Sequence, residues 1–126
     1  MEIEVKTPAI VAEGQHIGVI TRVEYRTEPY KYADVFVETK DKEGNIVELK
    51  YGCPTNISTV TKLGKLLKLF GSELKVKSKI DPEKVLIGKK VTFMTLNKVT
   101  DRGTFSRIVE DSLKPLEGDS PSESFG

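Results

Sequence analysis

The sequence predicts an all-β domain with one helix inserted between its third and fourth strands. Three observations predict it. Apolar residues alternate with polar ones in separate short segments, the period turns helical in one tract between Ser58 and Gly71, and Gly, Asn, Asp and Pro punctuate the boundaries. At 126 residues a single domain is the default, and such a chain buries roughly two thirds of its unfolded surface.

The first strand is expected over His16–Arg26, with Ile17, Val19, Val23 and Tyr25 on one parity and Gly18, Arg22, Glu24 and Arg26 on the other; Ile20 and Thr21 interrupt the alternation. The stretch Thr27-Glu28-Pro29-Tyr30-Lys31 breaks it, because Pro29 lacks an amide donor and restricts the residue before it. A second strand over Tyr32–Thr39 sets Ala33, Val35 and Val37 against Asp34, Phe36 and Glu38. Asp41-Lys42-Glu43-Gly44-Asn45 reads as a hairpin turn, and a third strand returns over Ile46–Tyr51 with Val47, Leu49 and Tyr51 in phase.

The helix is expected over Thr59–Phe70, with Ser58 as N-cap and Gly71 closing it. Val60, Leu63, Leu66, Leu67 and Phe70 form its apolar stripe, and Lys62, Lys65 and Lys68 its wet edge. Gly64 costs a helix about 1 kcal/mol relative to Ala, which points to close approach of a neighbour. The linker Ser72–Ile80 is basic through Lys75, Lys77 and Lys79. Asp81-Pro82-Glu83-Lys84 then opens a short helical unit that Gly88 ends. A fourth strand over Lys90–Lys98, a turn at Thr100–Gly103 and a fifth strand over Thr104–Val109 complete the body. Tyr25, Tyr51 and Phe93 are read as core.

Strand, strand, strand, helix, strand, strand is the order of an OB-fold, a five-stranded, partly open Greek-key barrel whose lower opening needs an apolar plug. The inserted helix supplies that plug. A ferredoxin-like fold would need a crossover helix after the first strand, for which the Pro29 segment is too short.

Composition narrows function before any site is considered. Twenty Lys plus Arg against 19 Asp plus Glu give a net charge of +1, unlike a histone-like polycation. The lone Cys53 and the lone His16 leave no internal disulfide and no Cys/His metal cluster within one chain. No apolar run approaches the ~18 to 20 residues of a membrane span. The Met1–Lys6 terminus carries acids where a signal peptide would be basic, so a cytoplasmic setting, or a host-cell cytoplasm for a viral protein, is the expectation. Abundant Lys, Glu, Val and Ile resemble a thermophile's composition.

An OB-fold binds its ligand across strands two and three and between the loops joining strands one to two and four to five. Those places hold Arg22, Arg26, Tyr30, Lys31, Tyr32, Phe36, Lys50, Lys98 and Arg102, cations interleaved with aromatics. A single strand is held by a cationic groove that follows its phosphates and by aromatic rings under its bases, each stack worth about 1 to 3 kcal/mol. The competing reading is a solvated strand surface, which Glu24, Asp34, Glu38 and Glu48 favour. Asp34, Glu38 and Glu48 are the only acids placed to suggest a metal-dependent nuclease, and carboxylates on strands are ordinarily solvated. No enzyme, cofactor or metal is expected.

Three tracts, Gly14-x-His16-x-Gly18-Val19-Ile20, Thr61-Lys62-Leu63-Gly64-Lys65-Leu66-Leu67 with Phe70-Gly71, and Leu86-Ile87-Gly88-Lys89-Lys90-Val91, resemble small OB-fold single-stranded-DNA-binding proteins of phages, archaeal viruses and archaea. The resemblance covers residues 14–115. It implies a protein that coats single-stranded DNA during replication, recombination or repair, without chemistry. Binding of RNA, or an OB-fold adaptor role between proteins, are the alternatives. The oligomeric state is open.

Residues 1–115 read as the folded domain and residues 116–126 as a disordered acidic tail rich in Ser, Pro and Gly. The tail also resembles that of bacterial single-strand-binding proteins, whose acidic tail ends in a hydrophobic tip; by that resemblance Phe125, behind Glu117, Asp119 and Glu123, would recruit replication or repair proteins. With those three acids set apart, the body holds 20 cations against 16 acids, a net +4.

Overall fold

The computed structural model describes residues 10–28, 30–75 and 79–116. The expectations for the Met1–Lys6 terminus, Pro29, Lys77 and the tail with Phe125 lie outside these. The elements are β1 (Gly14–Arg26), β2 (Tyr32–Lys40), β3 (Ile46–Pro54), α1 (Lys62–Leu69), α2 (Pro82–Leu86), β4 (Lys90–Thr100), β5 (Gly103–Ile108) and β6 (Lys114–Pro115). They form a mostly-β structure with one six-stranded antiparallel sheet in the order β3-β2-β1-β4-β5, and β6 pairs with β4. The short β6 has no counterpart in the sequence reading. β1 is long enough to pair with β2 through Gly18–Arg26 and with β4 through Gly14–Val19. The sheet curls until β3 and β5 touch. Among the described residues no backbone ladder joins those two strands, so the sheet does not close.

β1 departs from strict alternation at one point that governs the rest of the strand. Ile20 pairs with Val37 and Arg22 with Phe36, so Thr21 is an extra residue opposite no partner, a β-bulge. The bulge exchanges the two faces. Before it, Gly18 and Ile20 point inward while Ile17 (60% exposed) and Val19 point out; beyond it, Val23 is inside and Arg22, Glu24 and Arg26 are outside. The expectation that Ile17 and Val19 share an inner face with Val23 is therefore corrected. Tyr25 is corrected too. It keeps the inward parity, opposite buried Ala33, but at 51% exposure it lies on the rim near Asp81 and Glu83 rather than in the core.

The other inward sets follow their parity. Ala33, Val35 and Val37 of β2, Leu49, Tyr51 and Cys53 of β3, and Val91, Phe93 and Thr95 of β4 are buried. Leu63, Leu66 and Leu67 of α1 join the same cluster, each burial worth about 1.5 to 3 kcal/mol.

α1 begins later than expected. Thr61, not Ser58, is its N-cap, accepting from the Gly64 amide, and Val60 is exposed outside the helix. Ser58 instead closes a tight turn ahead of the cap: its hydroxyl accepts from the Val60 amide, while its own amide donates to Thr61 Oγ1. This turn presses the Ser58 carbonyl against Gly64, where a Cβ would overlap it. At the other end Gly71 takes φ +93°, its amide donating to Lys68 O and that of Ser72 to Leu67 O, the paired bonds of a Schellman ending. α2 is capped by Asp81, with Pro82 at its first position as expected. The loop after α2 returns to β1 at the bulge, where Ile20 exchanges backbone bonds with Lys89 and Gly88.

Candidate nucleic-acid interface

The register of β1, β2 and β3 sets the predicted residues in transverse rows on the outward face. Arg22 lies opposite Phe36 and Phe36 opposite Lys50; two residues on, Glu24, Asp34 and Gly52 form a row, and then Arg26, Tyr32 and Pro54. Five of the nine predicted contacts thus share one surface. On it, each arginine is committed to an aromatic ring and a carboxylate at once.

The Arg22 guanidinium carbon stands 3.8 Å from the Phe36 ring centroid, within cation–π range. Its nitrogens pair with Glu24 and, at 2.8 Å, with Glu48. Arg26 repeats the device. Its guanidinium carbon is 4.7 Å from the Tyr32 centroid, its Nε donates to Asp34 Oδ2 at 2.6 Å and its Nη2 to Oδ1 at 3.2 Å. The hydrogen bonds that Arg22 donates to Glu48 and Arg26 to Asp34 raise the two guanidinium pKa values further, so both stay charged. Asp34 is 4% exposed. It is a partner for Arg26 rather than a solvated acid, and among the described residues no three Asp, Glu, His or Cys side chains are grouped to hold a metal.

Lys50 and Lys31 make no ion pair among the described residues. Tyr30, at 72% exposure, leaves the β1–β2 loop into solvent; the loop is tied to the end of β3 by the Thr55 amide, which donates to Lys31 O. Tyr32 and Phe36 are half-buried beneath their arginines.

Lys98 and Arg102 are not joined to that row by strand pairing. β4 meets the start of β1 at Thr95 opposite Gly14, so Lys98 and the Thr100–Gly103 turn run on past that end, whereas the β1–β2 loop leaves from Arg26. The register does not bring these two cations to the row across β1–β3. Lys98 has an aromatic of its own, since it pairs opposite Phe105, which is 42% exposed. Phe105 was missed because its parity in a five- or six-residue strand is ambiguous. Lys62 and Arg107 were missed for a different reason: 45 residues apart in sequence, they line one cleft with Lys50 and Tyr32.

A larger groove of about 1040 Å³ lies around the outward-facing Ile17 and Val19, with Lys40, Ile46 and Lys114 on its walls. His16, also at this groove, is a structural residue. Its ring packs 5.9 Å from that of Phe93, and its Nε2 is 2.6 Å from Ala12 O. No described helix is long and apolar enough to cross a membrane. No family model matches the chain, and no curated protein sequence matches it.

Proposed function

We propose that the protein binds single-stranded nucleic acid, DNA foremost, with little regard to sequence, on an OB-fold scaffold. Support for the scaffold comes from a first strand that pairs with both β2 and β4, and from a helix between β3 and β4 that plugs the curled sheet. The observation that carries the reading is the in-register row Arg22–Phe36–Lys50 beside Arg26–Tyr32. Bases stack on the rings or on the guanidinium planes above them, and phosphates are met by Lys50, Lys31 and the arginines. Each phosphate so neutralised adds to the dependence of binding on salt. No bond is made or broken.

Fluorescence anisotropy with labelled oligo-dT at 50 and 200 mM salt tests this. The expected slope of log affinity against log salt is about −0.7 per phosphate neutralised. Absence of binding at low salt, by the full chain and by a form lacking residues 116–126 alike, overturns the reading. Oligo-U in place of oligo-dT decides between DNA and RNA, because a protein that reads the 2′-OH prefers the latter.

A protein-adaptor role has one observation in its favour, the exposed Ile17, Val19 and Ile46 along the larger groove. Size-exclusion chromatography that shows stable self-association without oligonucleotide binding would select it.

A further inference from the structure

We infer that the cleft between β3 and β5 is a further phosphate-binding site adjoining the sheet face, and that Glu110 holds the place of the phosphate while the site is empty. The cleft encloses about 390 Å³ and is lined by Tyr32, Lys50, Lys62, Arg107 and Glu110. Three cations thus face one carboxylate. Lys62 Nζ is 3.4 Å from Glu110 Oε1 and Arg107 Nη2 is 3.9 Å from the same oxygen. Both separations exceed the roughly 2.7 to 2.9 Å of a charge-assisted hydrogen bond at its optimum. A single carboxylate oxygen stretched between two cations is a weak occupant. A phosphate presents several oxygens over a wider span and can meet each cation at its best distance.

The cleft is built to receive rather than to be filled. Lys62 is fixed from behind: its Nζ lies 4.2 Å from the Tyr51 ring centroid and its side chain is only 21% exposed. Tyr51 is itself anchored, its hydroxyl accepting from the Asp111 amide at 3.1 Å. Glu110, by contrast, is 61% exposed and sits where the chain turns after β5, so it can swing into water with little packing to lose. Tyr32 belongs both to this cleft and to the outward row with Arg26, so the two surfaces are continuous. A strand lying across the sheet face would reach the seam at Tyr32, one base on the ring and the next phosphate between Lys62 and Arg107. An acidic peptide would meet the cations but leave the ring unused. This continuity rests on the single-strand reading; the anion site itself does not.

Two measurements on the full chain separate the two ideas. With oligo-dT, Arg107→Gln is expected to weaken binding about two- to fivefold and to reduce the salt slope by about 0.7. Glu110→Gln is expected to strengthen it by a similar factor, and the same change at exposed Glu43 on the β2–β3 turn controls for net charge. Lys62→Gln should behave as Arg107→Gln does, but it also removes the contact with Tyr51, so the more exposed Arg107 is the primary variant. In parallel, inorganic pyrophosphate titrated into 15N-labelled protein should shift the Arg107 Nε–Hε and Glu110 amide signals, an effect absent in Arg107→Gln. Oligonucleotide binding unaltered by Arg107→Gln, or Glu43→Gln matching Glu110→Gln, overturns the cleft. A pyrophosphate response without oligonucleotide binding keeps the cleft and removes the sheet-face reading. No response to either probe removes both.

Discussion

Arg22 stands over Phe36 and is held there by two carboxylates, Glu24 from its own strand and Glu48 from β3. The ring a nucleobase would use is therefore covered by a cation already neutralised on both sides. For binding to use this face, the guanidinium must either serve as the stacking surface itself or move aside to meet a phosphate. Phe36→Ala is expected to weaken oligo-dT binding by about 1 to 3 kcal/mol. Arg22→Ala and Phe36→Ala together should cost less than the sum of the two, because they form one stacked unit. A double-mutant cycle by anisotropy reads this directly, and full additivity would show the two residues acting separately.

Arg26 and Asp34 make a stability prediction. Removing the arginine leaves a carboxylate that is almost wholly buried and uncompensated. The arginine side of the pair is open to water, with its side chain 39% exposed, so Arg26→Met is expected to lower stability by less than breaking a fully buried pair would. Adding Asp34→Asn should recover part of the loss, since the orphan charge is then gone. Urea denaturation of the single and double variants measures both, and an unchanged midpoint for Arg26→Met would mean the pair is solvated.

At Gly64 intrinsic helix propensity and packing oppose each other. Alanine would gain the helix about 1 kcal/mol by propensity. Its Cβ, however, would overlap the Ser58 carbonyl, which is backbone held in the tight turn before the Thr61 cap. Overpacking of this kind costs about 1 to 3 kcal/mol, and the overlap places Gly64→Ala at the upper end. A thermal melt should show a net loss. A rise in Tm would mean that the turn gives way freely.

Alkaline pH should destabilise the fold through two buried acids on β3. Burial pushes the Cys53 thiol up to about 12 from 9.0 and the Tyr51 phenol up to about 12 from 10.0. The folded state holds both protons more tightly than the unfolded state does. Stability is therefore full below about pH 9 and falls as the pH rises toward 12, Cys53 contributing first. Denaturation midpoints at pH 8, 10 and 11 should decline in that order. Iodoacetamide at pH 8 should leave Cys53 unmodified until denaturant is added.

The strands, the capped α2 and the Gly71 ending were legible because each rests on local chemistry: alternation, an Asp–Pro start, a glycine with positive φ. The faces of β1 were not. Ile20 and Thr21 mark the interruption, but alternation alone does not say that the backbone inserts a residue there. Parity alone puts Ile17 and Val19 on the same side as Val23, whereas the bulge puts them on the opposite one, with Arg22 and Arg26 beyond it facing outward. Tyr25 shows a second limit, since parity says which way a side chain points and not whether a neighbour covers it at a strand end. The start of α1 was misplaced because Ser58 and Thr61 are both good caps, and only the turn they form with each other decides between them. As for the candidate surface, residues on adjacent paired strands could be grouped from the sequence. Those joined only by the curl of the sheet, Lys62 with Arg107, could not.

The unladdered seam has one more consequence. Strand edges with free amides and carbonyls invite pairing with edges of other molecules, the route to intermolecular aggregation. Here the outer edges of β3 and β5 are turned toward each other across a charged cleft, so each obstructs access to the other. The molecule guards its two most adhesive borders with one gap, and substitutions that widen the seam are the ones that would put its solubility at risk.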